Sequence, residues 1–179
     1  MLRHLPNFIC LVRIALIWPT IEALVDGKYW TALILVAVCA VSDGLDGWLA
    51  KRFNWQSHLG KILDPLADKL LLVALFLTAT WINLVPWWLT AIVVARDVMI
   101  GGGAVIYRLW IGPLHGRPTI LSKIKTGMQL AVALAAILGA ASGLPTPEMV
   151  TALAFVTLLS TVVSGADYLT VFTRRALAS

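Results

Sequence analysis

Two polar segments interrupt an otherwise apolar chain, and they decide how it folds. The first reads SDGLDGWLAKR at residues 42–52, and the second reads GKILDPLADK at residues 60–69. In each segment the acidic and small residues recur at the spacing of one α-helical face. They are Asp43, Asp46, Gly47 and Ala50 in the first segment, and Gly60, Asp64 and Asp68 in the second. Because the connection between the segments is short, we expect two antiparallel neighbouring helices whose four carboxylates converge.

The composition around these segments is that of a membrane protein. The chain has 179 residues, of which 60% are hydrophobic and 13% charged, and its mean hydropathy is +0.88. Soluble domains carry about 25% charged residues, so an ordinary cytosolic enzyme is excluded. Cys10 and Cys39 both lie in apolar runs, which excludes a disulfide framework and a thiolate metal site. We predict an all-α, polytopic membrane protein in which residues 1–179 form a single domain.

Six apolar runs approach the length of about 20 residues that a membrane-spanning helix needs. We predict a six-transmembrane-helix bundle with spans at Phe8–Val25, Tyr29–Leu49, Ile62–Ile82, Val85–Leu109, Ile120–Ala141 and Met149–Phe172. Turn residues such as Asp26, Gly27 and Asn83 stand between the spans. An even number of spans places both termini on the same side of the membrane.

The distribution of the basic residues predicts which side of the membrane the termini face. Nine of them fall on the side of the termini: Arg3, Lys51, Arg52, Arg108, Arg117, Lys123, Lys125, Arg174 and Arg175. Lys28 alone falls on the other side, and Arg13, Lys61, Lys69 and Arg96 lie within or at the ends of the spans. The positive-inside rule then places both termini and the acidic cluster on the cytoplasmic side of the inner membrane. The net charge of +5 fits a partner of anionic lipid better than one of nucleic acid.

The four acids of the two polar segments indicate a metal centre. A carboxylate inside a bilayer costs about 2.5–3.5 kcal/mol, and four together repel one another unless cations lie among them. Carboxylate oxygens suit Mg²⁺, Mn²⁺ or Ca²⁺, and two such ions can clamp a phosphoryl group during displacement. The small residues on the same helix faces leave room for a bulky ligand beside the backbone.

The spacing of these residues resembles the signature of the CDP-alcohol phosphatidyltransferases. That pattern has seven fixed positions across 26 residues, which this chain fills with Asp43, Asp46, Gly47, Ala50, Gly60, Asp64 and Asp68. One position departs from the pattern, since Lys51 stands where the family has arginine, with Arg52 following. A lysine can still meet a phosphate, although without the bidentate geometry of arginine.

The resemblance implies an enzyme that takes CDP-diacylglycerol and transfers its phosphatidyl group to an alcohol, with release of CMP. Two divalent cations, Mg²⁺ or Mn²⁺, would bridge the diphosphate, held by Asp43, Asp46 and Asp64. Asp68 would lie beside the metals, share in the metal site and act as the general base. The same resemblance implies a CDP-binding site lined by Gly47, Ala50, Lys51 and Gly60 and, for the whole protein, a homodimer.

Residues of the later helices indicate where the acceptor binds. Arg96 and Asp97 form a charged pair within the fourth span, where such a pair is a candidate for function. Basic residues at the start of the fifth span suit an anionic group. We therefore expect the acceptor or a lipid phosphate to be bound by Arg96, Arg117, Lys123 and Lys125.

The chain resembles two subfamilies that differ in their acceptor. Residues 96–100, Tyr107-Arg108, Pro118-Thr119 and Ser122-Lys123 resemble eukaryotic-type cardiolipin synthases, whose acceptor is phosphatidylglycerol. Residues 5–7, Arg13, 64–69 and 123–126 also resemble phosphatidylglycerophosphate synthases, whose acceptor is glycerol-3-phosphate. Phosphatidylglycerol is the leading expectation, and glycerol-3-phosphate is the alternative.

An ion-coupled transporter is the alternative from another functional class. A transporter would be expected to spread its acidic residues along the depth of the bilayer. Here the main acidic cluster lies at one edge, and this favours an enzyme.

Overall fold

The computed structural model describes residues 5–53, 60–110, 120–159 and 161. Within these ranges the chain forms six helices and no strand. The helices are α1 (Leu5–Val25), α2 (Tyr29–Arg52), α3 (Gly60–Trp81), α4 (Trp87–Trp110), α5 (Ile120–Ser142) and α6 (Pro147–Leu159). The prediction of an all-helical chain is confirmed for the described residues.

The ends of α1 to α5 and the start of α6 differ by a few residues from the predicted spans, for local reasons, and the predicted end of the sixth span at Phe172 lies outside the described residues. α4 begins at Trp87 rather than Val85, because the residue before a proline disfavours helical backbone and Pro86 follows Val85. α2 continues to Arg52, and α3 begins at Gly60. Both polar segments are therefore helical. The predicted spans stop short of these ends because they were drawn from apolar residues, and charged residues occupy the helix ends.

The predicted turn residues form the connections. Gly27, with φ of 73°, joins α1 to α2, and Asn83, with φ of 60°, lies between α3 and α4. Glycine and asparagine adopt this left-handed conformation most readily. In the first turn Lys28 Nζ donates to Asp26 Oδ2 at 2.9 Å, and this contact raises the pKa of Lys28.

Among the described helices, α3 packs against the largest number of neighbours, namely α1, α4 and α5. α2 packs against α1 and α5. α6 reaches α4 through the rings of Phe155 and Trp88, whose centroids are 5.0 Å apart. The largest fully buried apolar side chains of the core are Leu24, Val36, Leu75, Phe76, Leu89, Val132 and Ile137.

Much of the outer surface is apolar. Large exposed side chains come from every helix: Trp18, Ile34, Leu77, Val98, Leu138 and Leu159. Among the described residues, Phe8–Val25 is the one stretch that has both the length and the apolar composition to cross a membrane. Shorter apolar helices occupy Tyr29–Leu45, Thr126–Ser142 and Pro147–Leu159.

The α5–α6 connection packs closely against α5 at a glycine. A Cβ atom added to Gly139 would overlap the backbone carbonyl oxygen of Pro145, whereas one added to Gly127 of the same helix would meet nothing within 4 Å. The two glycines therefore belong to the same helix and differ in the atoms that surround them.

We predict opposite effects of alanine at these two positions. Gly139→Ala forces the connection away from α5 and should lower the free energy of unfolding by about 1–3 kcal/mol. Gly127→Ala should raise it by up to about 1 kcal/mol, because alanine favours helix. Thermal unfolding in detergent measures both. Equal shifts for the two variants would contradict the packing at Gly139.

Candidate active site

A buried arginine joins the two acidic segments. Arg13 of α1 is 1% exposed. Its Nη1 donates to Asp43 Oδ1 of α2 and to Asp68 Oδ1 of α3, each at 2.8 Å. A single nitrogen therefore links three helices. Two of the four predicted carboxylates, Asp43 and Asp68, are therefore brought together, and a guanidinium from α1 lies between them.

The same contacts explain why these charges are tolerated. A buried guanidinium is costly unless carboxylates pair with it, and removing one partner leaves an uncompensated charge. Asp43 and Asp68 remain 46% and 47% exposed while they pair with Arg13. The three described side chains, one cation and two anions, have a summed formal charge of −1. The half-exposed carboxylates thus face accessible space with negative charge remaining.

Each of the three charged residues lies in line with buried residues of its own helix. The buried residues are Cys10, Thr20 and Leu24 on α1 beside Arg13, Ala32, Val36 and Cys39 on α2 before Asp43, and Leu71, Leu75 and Ala79 on α3 after Asp68. Residues three, four, seven or eleven apart share one helical face, so the packing that joins the helices also aligns the three charged residues. The site is positioned by the core below it.

The other two acids of the pattern, Asp46 and Asp64, occupy backbone positions on the same side of Asp43 and Asp68. Asp46 lies three residues nearer the end of α2 than Asp43, and Asp64 lies four residues nearer the start of α3 than Asp68. Both positions are about one helical turn toward the α2–α3 connection. The backbone therefore arranges the four acids in two successive levels, with Arg13 at the level nearer the core.

A second ion-paired group joins α3 to α4. Asp97 is 13% exposed; its Oδ1 accepts from Arg96 Nη1 at 2.8 Å, and its Oδ2 lies 3.0 Å from Lys69 Nζ. Lys69 directly follows Asp68 in α3. Adjacent residues of α3 thus reach different neighbours, because successive side chains point about 100° apart around a helix.

The structure describes some predicted site residues and not others. Asp43 and Asp68 are brought together, whereas Arg96 belongs to the separate group around Asp97. The helical backbone includes Asp46, Gly47, Ala50, Lys51, Gly60, Asp64, Lys123 and Lys125, but the placement of their side chains lies outside the description. Arg117 lies outside the described residues altogether. Among the described side chains, no three His, Cys, Asp or Glu residues are grouped for a metal ion.

Sequence reasoning did not identify the role of Arg13. It counted Arg13 among the basic residues within the apolar spans and gave it no partner. The available signal was its position, since a cation inside an apolar helix is expected to pair within the bundle. The identity of its two partners depends on how three helices pack, which no local pattern contains.

The fold and the site define a helical-bundle protein with carboxylates assembled around a buried arginine. Residues 3–166 match the CDP-alcohol phosphatidyltransferase family. The chain belongs to this family, so the resemblance inferred from residues 43–68 is confirmed.

Individual relatives fall into the two groups that the sequence suggested. A probable cardiolipin synthase (CMP-forming) of Drosophila melanogaster is 38% identical over 144 residues, covering 71% of this chain and 44% of the relative. The human cardiolipin synthase (CMP-forming) is 32% identical, with coverages of 74% and 50%. A CDP-diacylglycerol–glycerol-3-phosphate 3-phosphatidyltransferase of Bacillus subtilis is 30% identical, with coverages of 75% and 76%. The chain therefore spans about half the length of the first two relatives.

We predict that the contribution of Asp68 to stability depends on Arg13. Arg13→Leu removes the guanidinium from between the two carboxylates and should cost about 3–5 kcal/mol. Asp68→Asn should destabilise the wild-type protein but stabilise the Arg13→Leu variant, because it then removes a repulsion. Thermal unfolding of the two single variants and the double variant measures this coupling.

The exposed ion pair between Asp26 and Lys28 provides the matched control. Asp26→Asn should change the free energy of unfolding by less than about 1 kcal/mol. The same effect of Asp68→Asn with and without Arg13 would show that the buried pair does not hold the helices.

Proposed function

We propose that this protein transfers a phosphatidyl group from CDP-diacylglycerol to an alcohol acceptor, with release of CMP. The observation that carries the proposal is the pairing of Asp43 and Asp68 through Arg13 at 2.8 Å. It brings together both halves of the acidic pattern, in a chain that matches the family over residues 3–166. Phosphatidylglycerol is the proposed acceptor, and glycerol-3-phosphate is the alternative.

The residues present fit a centre for two divalent cations, Mg²⁺ or Mn²⁺. Asp43, Asp46, Asp64 and Asp68 offer only carboxylate oxygens, which these ions prefer. The side chains of Arg13, Asp43 and Asp68 together carry a net negative formal charge, and the two carboxylates are half-exposed. When bound, the cations would neutralise the diphosphate and improve CMP as a leaving group.

Asp68 is the proposed general base. Its carboxylate would accept the proton of the acceptor hydroxyl as that oxygen attacks the phosphorus on the lipid side of the diphosphate. The hydrogen bond from Arg13 fixes the direction of the carboxylate. A base must be held within hydrogen-bond reach of the proton that it removes, so this contact has a role in positioning as well as in stability.

The substrate residues are proposed from the family resemblance and from their charge. Gly47, Ala50, Lys51 and Gly60 are proposed to line the CDP site, where the small residues let the nucleotide approach the backbone and Lys51 offers a positive charge to a phosphate. Arg96, Arg117, Lys123 and Lys125 are proposed to bind the acceptor or a lipid phosphate. Arg96 is 8% exposed and bound to Asp97, so it could reach such a group only from inside the bundle.

The membrane arrangement is proposed as six spans with both termini and the active site on the cytoplasmic side of the inner membrane. Support comes from the exposed apolar side chains on all six helices, since a surface of this kind requires lipid or protein around it. The excess of basic residues on the side of the termini supports the orientation. Residues 1–179 are proposed to form one domain that works as a homodimer.

The direct experiment measures CMP release by the purified protein. CDP-diacylglycerol is supplied with Mg²⁺ or Mn²⁺, and phosphatidylglycerol and glycerol-3-phosphate are offered in separate reactions. Metal-dependent release with phosphatidylglycerol alone is expected. Release with glycerol-3-phosphate alone would establish the alternative acceptor, and release with neither would contradict both.

We predict that Asp68→Asn abolishes CMP release and leaves binding of CDP-diacylglycerol largely intact. Asparagine keeps the size of the side chain and an oxygen that can accept from Arg13, but it cannot take the proton. Turnover and binding are measured on the same preparation. Loss of binding together with turnover would assign Asp68 chiefly to the metal site, and retained turnover would remove it from the mechanism.

A further inference from the structure

A buried amide on α5 has no role in the site described so far. Gln129 is 1% exposed, and its Nε2 has no hydrogen-bond partner among the described residues. Burying an amide N–H without a partner costs free energy. Proteins keep such groups where a ligand supplies the missing acceptor, or where the strain serves function.

The depth of Gln129 in the bundle can be measured along two helices. A cavity is lined by Tyr29 to Thr31 at the start of α2 and by Ala140 and Ala141 near the end of α5. These two helices pack against each other and run in opposite directions. Gln129 precedes Ala141 by twelve residues, and Asp43 follows Thr31 by twelve. At about 1.5 Å per residue, both lie roughly 18 Å from the cavity.

The direction in which Gln129 faces follows from its neighbours on α5. It continues the buried stripe formed by Val132, Ala133 and Ala136, at the spacing of one helical face. That stripe packs in the same core as Cys39 of α2, which lies one turn before Asp43. Gln129 therefore faces the interior shared with α2 and α3, and among the side chains described on α5 it is the first member of this stripe.

One turn beyond Gln129 the environment changes. Thr126, three residues earlier on the same helix, is exposed. Asp43 and Asp68 change environment at a similar level, since both are half-exposed above a buried stripe. Gln129 thus lies where the apolar core ends and the accessible space beside the two carboxylates begins.

We propose that Gln129 is a substrate-binding residue whose Nε2 donates a hydrogen bond to a phosphate oxygen of the CDP-diacylglycerol diphosphate. This inference rests on the proposed function. An amide donor carries no charge, so it can meet an anionic oxygen without competing with divalent cations for the carboxylates. It would contact the diphosphate from the core side, opposite the acids nearer the α2–α3 connection.

The test compares Gln129→Met with the wild-type protein in two measurements. Methionine has nearly the same length and volume but no donor. Without ligand, the melting temperature should stay the same or rise, because an unpaired buried N–H is removed. With CDP-diacylglycerol and Mg²⁺, the ligand-induced rise in melting temperature should shrink. The KM for CDP-diacylglycerol should increase about tenfold or more, as expected for a lost hydrogen bond to a charged group.

Thr20→Val is the matched control. Thr20 is equally buried and donates from Oγ1 to the backbone oxygen of Leu16 on α1. Its replacement should lower the melting temperature without changing the KM for CDP-diacylglycerol. If Gln129→Met behaves in the same way, Gln129 is a structural residue and the inference is wrong.

The outcomes separate this inference from the proposed function. Absence of a CDP-diacylglycerol response in the wild-type protein would overturn the proposed function and this inference with it. A wild-type response that Gln129→Met retains unchanged would overturn the inference alone. An increased KM for glycerol-3-phosphate or phosphatidylglycerol, with the KM for CDP-diacylglycerol unchanged, would show that the amide binds the acceptor substrate. That result would contradict the proposed hydrogen bond to CDP-diacylglycerol.

Discussion

One guanidinium nitrogen, Nη1 of Arg13, lies 2.8 Å from carboxylate oxygens of both Asp43 and Asp68. The three residues come from three helices, and each lies on the face of its helix that carries buried residues. Burial makes the pairing strict, because an arginine that is 1% exposed cannot exchange its partners for water. The apolar core sets the level of the charges, and the ion pair then fixes the distance between the two acidic helices. The rest of the site depends on this contact.

Two neighbouring residues of α3, Asp68 and Lys69, connect this helix to different partners. Asp68 connects the helix to Arg13, while Lys69 connects it to Asp97 and so to α4. α3 is thereby held from both sides at the level where the proposed chemistry takes place. On the proposed function, this holds Asp68 against the reacting hydroxyl, beside the cations that it would bind together with Asp43, Asp46 and Asp64. Gln129 would complete the enclosure from α5.

The sequence predicted the helices and the acidic pattern because both are local. Apolar runs and turn residues such as Gly27 and Asn83 located α1 to α5 to within a few residues, and the spacing of the aspartates predicted that they share helix faces. The family followed from seven positions and was confirmed over residues 3–166. The partners of Arg13 could not be read in this way, since they lie 30 and 55 residues away along the chain. The environment of Gln129 likewise depends on the packing of α5 against α2 and α3.

The most direct test is the affinity of the purified protein for Mn²⁺, measured by electron paramagnetic resonance for the wild-type protein and for Arg13→Gln. Charge alone would make the variant bind Mn²⁺ more tightly, because a positive charge near the acids is removed. If Arg13 instead holds the acids in place, its loss should weaken binding by about 10–100-fold, as for other residues that orient metal ligands. We predict weaker binding. Unchanged or tighter binding by Arg13→Gln would contradict the assignment of Arg13 as the residue that assembles the site.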